Sequence, residues 1–163
     1  IVLVIGKTEG HIDQSLFARN ILNEKNGPPP EINLFNEKNN GETLLKLIEN
    51  GFIKSAHDVS LGGIITAISK MCIKGNKGIN LKMSKNLINE IEYFFAEDQG
   101  RYLIEIDQKD QKKVADILNK NAVHFDELGT INEDQLYIND KTKVTIDELK
   151  TSNKSWLTNY MSK

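Results

Sequence analysis

The residues best suited to chemistry lie between positions 55 and 63. This segment, SAHDVSLGG, ends a short apolar run at a glycine pair, and an amphipathic helical pattern begins at once. Because glycine has no β-carbon, a ligand can approach the backbone, and the N–H groups of the new helix point toward it. The pattern predicts an anion site, with Asp58, Ser60, Gly62 and Gly63 as candidate phosphate- or nucleotide-binding residues. The alternative is a tight strand-to-helix turn with close packing, the commoner use of paired glycines.

A general-base role for His57 beside Asp58 is a second chemical possibility, because imidazole titrates near neutral pH. Adjacent residues on a strand point to opposite faces, so these two side chains cannot serve one ligand without a bulge. We therefore expect Asp58 to hold the glycine turn by accepting backbone N–H bonds. His11 and His124 stand apart from the acids, and no spacing of histidines and acids predicts a metal site.

A second polar cluster, Glu97-Asp98-Gln99 with Arg101, stands at the entry to a strand. Carboxylates and a carboxamide in this position suit a metal-bound phosphate or the amide of a substrate. A solvated turn is the more usual identity of such a run. We take Glu97, Asp98 and Gln99 as candidates for lining a ligand cleft and keep both interpretations.

Alternation and helical spacing predict a mixed α/β domain, a mixed sheet flanked by helices with hairpins and crossovers. The predicted strands cover 1–6, the run before the glycine pair, 79–81, 102–106, 123–131, 135–139 and 143–146. The predicted helices follow Asp13, cover 39–50, follow Gly63, cover 84–92 with Ser84 as cap, cover 107–121, and begin at Asp147. A proline run at 28–30 predicts an extended surface crossing.

Composition limits the possible functions. The chain has 163 residues, 27% of them charged, and a formal net charge of −2. This length suits one domain without a disulfide, and this charge favours neither nucleic acid nor a membrane as partner. Cys72 falls on the apolar side of a helix and is expected in the core. The absence of a leader or a long apolar run predicts a cytoplasmic protein, and the apolar start at residues 1–6 predicts a piece of a longer polypeptide.

Five segments together resemble one family. The "AHDVS" run with Gly62-Gly63 and the following helix resembles the "AHDVSxGG" segment of phosphoribosylformylglycinamidine synthase, synthetase component. Residues 95–102 are similar to its "FSESQSRF" element, and 5–15 to its "IG…GGS" opening. Residues 29–34 resemble its "PPxIDL" run, and 156–161 its terminal "WLPxYM". The resemblance spans the whole chain and implies the AIR synthase-related C-terminal domain of the second half, with 1–163 as a single domain.

The resemblance implies what the whole enzyme does. It would amidate formylglycinamide ribonucleotide in purine synthesis, using glutamine-derived ammonia, ATP and Mg²⁺. It would act with a glutaminase subunit, a small accessory subunit and the remaining domains of the synthetase. The family's catalytic and main ATP ligands would lie outside this segment, so no catalytic residue is assigned and the isolated chain is expected to be inactive. Alternatives are a non-catalytic phosphate-binding or structural module, or another enzyme of this fold: aminoimidazole ribonucleotide synthetase, selenophosphate synthetase or thiamine-monophosphate kinase.

The opening loop adds Ser15 as a further cleft candidate by this resemblance, although the chain lacks the glycine pair usual before it. Asp98 stands where the family commonly has serine. If Gly62, Gly63, Glu97 and Gln99 converge, the resemblance predicts an anion site. If the loop near Ser15 fills the cleft, the domain is a scaffold.

Overall fold

Seven strands form one mixed sheet in the computed structural model, which describes residues 1–83 and 88–162. The strands are β1 (Val2–Ile5), β2 (Ile53–Val59), β3 (Gly78–Leu81), β4 (Arg101–Ile106), β5 (Phe125–Asn132), β6 (Gln135–Ile138) and β7 (Thr142–Thr145). Their order across the sheet is β2-β4-β1-β5-β3-β6-β7. Within the described ranges β3 and β6 run parallel, and the other neighbouring pairs are antiparallel. The predicted mixed α/β architecture is confirmed.

Two core layers cover the two faces of this sheet, because side chains alternate along each strand. In β1, Val2 and Val4 join the cluster beneath one set of helices, whereas Leu3 and Ile5 join the cluster on the other face. All four are buried, as the unbroken apolar run at the start of the chain predicts.

In residues 1–83 and 88–162, five α-helices pack on these faces: α1 (Leu34–Glu49), α2 (Gly63–Gly75), α3 (Glu90–Phe95), α4 (Gln111–Lys120) and α5 (Ile146–Met161). Residues of α2, α3 and α5 enter one core cluster, and residues of α1 and α4 enter the other. A short 3₁₀ turn at Gln108–Asp110 precedes α4. In the part of the chain that the structure describes, no helix is both long and apolar enough to cross a membrane.

Several helices begin at residues other than those predicted, and side-chain caps set two of these starts. Helix α1 begins at Leu34, five residues before the predicted start, because the Asn33 side chain accepts the Asn36 N–H. The helix predicted after Asp13 contains only a π-helical turn at Ala18–Leu22, and Ser15 Oγ accepts the Ala18 N–H there. The helix predicted over 84–92 falls partly at 84–87, outside the described residues. The helix that is described begins at Glu90, with Asn89 in a capping box.

Candidate functional site

The glycine corner joins the end of β2 to the start of α2. Gly62 and Gly63 both have positive φ angles, 83° and 69°, which favour glycine. The Gly63 N–H donates to the Ser60 carbonyl at 3.0 Å, which closes the turn. The Gly62 N–H donates to Glu97 Oε1 at 2.8 Å. Both amides that were expected to face an anionic ligand are therefore bonded inside the protein.

The backbone of residues 94–96 packs directly on Gly63. A β-carbon at this position would lie 2.6 Å from the Ala96 carbonyl oxygen and 2.7 Å from that of Phe94. Such distances leave no room for a side chain, so the glycine permits contact between two backbone segments. This geometry favours the tight-turn interpretation of the glycine pair. Phosphate binding by Asp58, Ser60, Gly62 and Gly63 stays a prediction.

The expectation that Asp58 holds the glycine turn is wrong. Asp58 pairs across β2 and β4 with Tyr102, which packs against the core cluster of α1 and α4. Cross-strand partners share a face, so Asp58 lies on the opposite face of the sheet from α2. Its carboxylate is exposed and lies 3.3 Å from His57 Nδ1. Burial raises the pKa of Tyr102, and the charges of Glu37 and Asp58 raise it further.

Glu97 takes the role that was expected of Asp58. Its Oε1 accepts both the Gly62 N–H and the Leu16 N–H, each at 2.8 Å, and thereby joins the glycine corner to the opening loop. The Glu97 N–H donates to the His11 carbonyl at 3.1 Å, a second connection to that loop. Ser15, next to Leu16, is completely buried and its hydroxyl accepts the Ala18 N–H. The segment around Ser15 therefore packs onto Glu97.

Asp98 holds the preceding part of the same loop. Its Oδ2 accepts the N–H groups of Glu9 and Gly10 at 3.0 and 3.2 Å, and its Oδ1 accepts that of His11 at 3.1 Å. The residue is 6% exposed. Both carboxylate oxygens are thus engaged by backbone donors.

Arg101 belongs to the polar cluster seen in the sequence, but its burial and its role follow from tertiary packing alone. It is 1% exposed. Its guanidinium donates to the carbonyls of Asp98 and Ala96 at 3.1 and 2.7 Å and to Thr8 Oγ1 at 3.1 Å. Nη1 also lies 3.6 Å from Asp98 Oδ2. Burial lowers the pKa of Arg101, and the negative charge of Asp98 opposes that shift.

An open cleft of about 1010 Å³ lies beside this network. Its lining comes from the loop around Gly10, the proline run, the first turn of α1 and the segment 98–100. Gln99 is exposed here, and its side chain donates to the Glu97 carbonyl at 3.3 Å. Of the sequence-predicted site residues, Asp98 and Gln99 line this cleft, whereas Asp58, Ser60, Gly62, Gly63, Glu97 and Ser15 do not.

The described ranges contain neither a cluster of metal-ligating side chains nor an exposed thiol. Residues 1–83 and 88–162 contain no group of three or more histidines, cysteines or acids that could hold a metal ion. Cys72 is buried in the core, as expected, and burial raises the pKa of its thiol to about 11. Such a thiol is a poor nucleophile at neutral pH.

Comparison with known proteins gives both a family and a relative. Residues 1–141 match the family described as AIR synthase related protein, C-terminal domain. The chain is 73% identical over 161 residues to phosphoribosylformylglycinamidine synthase subunit PurL of Pelagibacter ubique. That alignment covers 99% of this chain and 22% of the relative, so the chain spans about a fifth of the relative's length.

Three solved structures of T. maritima PurL have the same fold over 91% of this chain. The complex with FGAR superposes with a TM-score of 0.76 at 22% identity and covers 27% of that chain. The complex with ATP gives 0.67 at 20% identity, and PurLQS gives 0.68 at 19% identity, each over 25% of the solved chain. Because that family model matches residues 1–141, most of the sequence, the chain belongs to the family described as AIR synthase related protein, C-terminal domain.

Proposed function

We propose that residues 1–163 form one C-terminal AIR synthase-related domain of a phosphoribosylformylglycinamidine synthase, within a longer polypeptide. The observation that carries this proposal is the 73% identity to the P. ubique subunit over 99% of the chain. That identity favours this enzyme over aminoimidazole ribonucleotide synthetase, selenophosphate synthetase and thiamine-monophosphate kinase, which share the fold.

The whole polypeptide would convert formylglycinamide ribonucleotide to its amidine, with ATP activating the amide oxygen and ammonia from glutamine replacing it. ATP as cofactor is supported by the T. maritima PurL complex with ATP, and FGAR as substrate by the complex with FGAR. Mg²⁺ would accompany the ATP. Because the described residues lack a metal-binding cluster, we assign no magnesium ligand to this chain.

This domain would supply a wall of the substrate cleft. Three features support a positioning role over phosphate capture at the glycine corner: the Gly62 and Gly63 amides are bonded internally, the 94–96 backbone covers Gly63, and Glu97 ties the corner to the opening loop. A wall that holds its loops rigidly helps to orient substrate and to exclude water. The cleft beside Asp98 and Gln99 is the surface that would face the substrate side.

Partners follow from the same relatives. The remaining domains of the polypeptide would complete the site, and a glutaminase subunit with a small accessory subunit would deliver ammonia. The PurLQS structure of T. maritima supports an assembly of this kind. We further propose a cytoplasmic location.

The test compares the intact polypeptide with the isolated chain. The intact protein, given ammonium, ATP, Mg²⁺ and formylglycinamide ribonucleotide, should form the amidine, and the isolated chain should not. Product is measured by mass spectrometry. The function would be refuted by an intact protein that consumes ATP only with a different substrate, such as thiamine monophosphate. The positioning role would be refuted by amidation in the isolated chain.

A further inference from the structure

Three successive backbone N–H groups, those of Glu9, Gly10 and His11, converge on one carboxylate. Consecutive amides that point inward form a concave nest with partial positive charge, a geometry that binds anions. The Arg101 guanidinium lies 3.6 Å from the same carboxylate and adds a full positive charge. Three N–H donors and one cationic side chain therefore surround a single position, and the Asp98 carboxylate occupies it.

The electrostatics of this point require an anion. Arg101 is 1% exposed, and its hydrogen-bond acceptors are neutral: the carbonyls of Asp98 and Ala96 and the Thr8 hydroxyl. Without the carboxylate, a buried cation would lose its nearest negative charge and three amides would lose their acceptor. Each of these losses is costly in a buried site.

We propose that the amides of residues 9–11, together with Arg101, form an oxyanion receptor that the protein closes with its own Asp98 carboxylate. The ligand class is a small oxyanion, a carboxylate or a phosphate, and in the native protein Asp98 excludes it. Phosphate groups of any bound nucleotide are consequently held elsewhere than in this nest. This receptor is formed by the geometry of this chain, whether or not the proposed enzyme activity is correct.

A small anion has a route to the receptor. Gly10, His11 and Asp98 all line the open cleft of about 1010 Å³. Removing the carboxylate would therefore leave a site that opens to solvent on one side and is lined by donors on the other. Formate matches the lost group in shape and charge, and phosphate offers a larger, tetrahedral alternative.

The experiment measures hydrogen exchange of the 7–16 peptide in the intact polypeptide that carries this chain. In Asp98→Ala, the three amides should exchange about tenfold faster or more, because each loses a charged acceptor. Added sodium formate should slow that exchange in a saturable way, and sodium phosphate is tested in parallel. In the wild type, neither salt should change exchange in this peptide beyond the effect of sodium chloride at equal ionic strength.

Two variants serve as controls. Asp98→Asn also removes the charge but fills the space, so its amides should exchange faster without recovery in formate. Asp116→Ala removes an exposed charge from α4 and should leave the 7–16 peptide unchanged. Exchange in the α4 core reports whether each variant is folded. If Asp98→Ala unfolds in buffer, the same titration is read as recovery of α4 protection.

Saturable protection of Asp98→Ala by formate or by phosphate, absent from Asp98→Asn, supports the receptor. Protection by neither anion, or equal protection in Asp98→Asn, overturns it. Slower exchange of the wild-type peptide in either anion overturns the claim that Asp98 closes the site.

Discussion

Substituting Gly63 with alanine tests the close packing at the glycine corner. The new β-carbon would lie within 2.8 Å of three backbone atoms in residues 94–96, and none of them belongs to a flexible side chain. The φ of 69° adds a second penalty. A left-handed conformation costs an L-residue roughly 1–2 kcal/mol, and overpacking costs about 1–3 kcal/mol. Gly63→Ala should therefore lower the free energy of unfolding by roughly 2–5 kcal/mol.

Two other glycines separate these two penalties. Gly51 has φ of 72° with nothing within 4 Å of its added β-carbon, so Gly51→Ala carries the backbone cost alone, roughly 1–2 kcal/mol. Gly75, the last residue of α2, has open space and no positive φ. Gly75→Ala should be neutral or stabilising by up to about 1 kcal/mol, since alanine favours the helix.

Urea unfolding followed by far-UV circular dichroism measures all three variants. The expected order of unfolding midpoints is Gly75→Ala at or above wild type, then Gly51→Ala, then Gly63→Ala. A Gly63→Ala midpoint equal to that of Gly51→Ala would show that the 94–96 backbone does not press on this position. That result would refute close packing at Gly63, and the anion-site interpretation of the glycine pair would again be favoured. The order also means that no Gly63 variant can test ligand binding cleanly, because any side chain there disturbs the fold.

Two further predictions concern titration. The pKa of Glu148 is lowered because its carboxylate accepts the Thr145 N–H at 2.8 Å and the Thr145 hydroxyl at 2.7 Å. A carboxyl with a lowered folded pKa stabilises the fold above its ordinary value of 4.5, and the contribution is lost as pH falls through the folded pKa. NMR titration of Thr145→Ala should show a Glu148 pKa shifted upward toward 4.5, and an unchanged pKa would contradict the hydroxyl's role. Cys72, with its pKa of about 11, should react with iodoacetamide at pH 8 about a hundredfold more slowly in the folded chain than in urea. Equal rates in the two states would show that the thiol is accessible.

Burial of the strands and of α2 was predictable from the sequence, because alternation and helical spacing record burial directly. The run at residues 1–5 is apolar at every position, and β1 is covered on both faces. In α2 Cys72, expected in the core, is buried, as are Ile64 and Ile68 at the same helical spacing. The start of α1 was not predictable in this way, since Leu34 and Phe35 are 76% and 77% exposed and carry no inward pattern.

The tertiary structure decided which hydrogen-bond partner each polar side chain has. The sequence placed Asp58 four residues from Gly62 and so made it the natural acceptor for the glycine turn. The pairing of β2 with β4 instead sets Asp58 on the far face, and the chain returns 35 residues after Gly62 with Glu97 in position. In the same way, Asp98 and Arg101 acquire their roles only when the loop at 8–11 folds over them.

The sequence by itself thus determined the family, the mixed sheet and the apolar faces of its main elements, because these depend on local periodicity and on motifs that can be read in order. The tertiary structure alone decided which carboxylate satisfies which amide. Hydrogen bonds between distant segments depend on strand pairing and loop closure, and neither leaves a periodic signal in the chain.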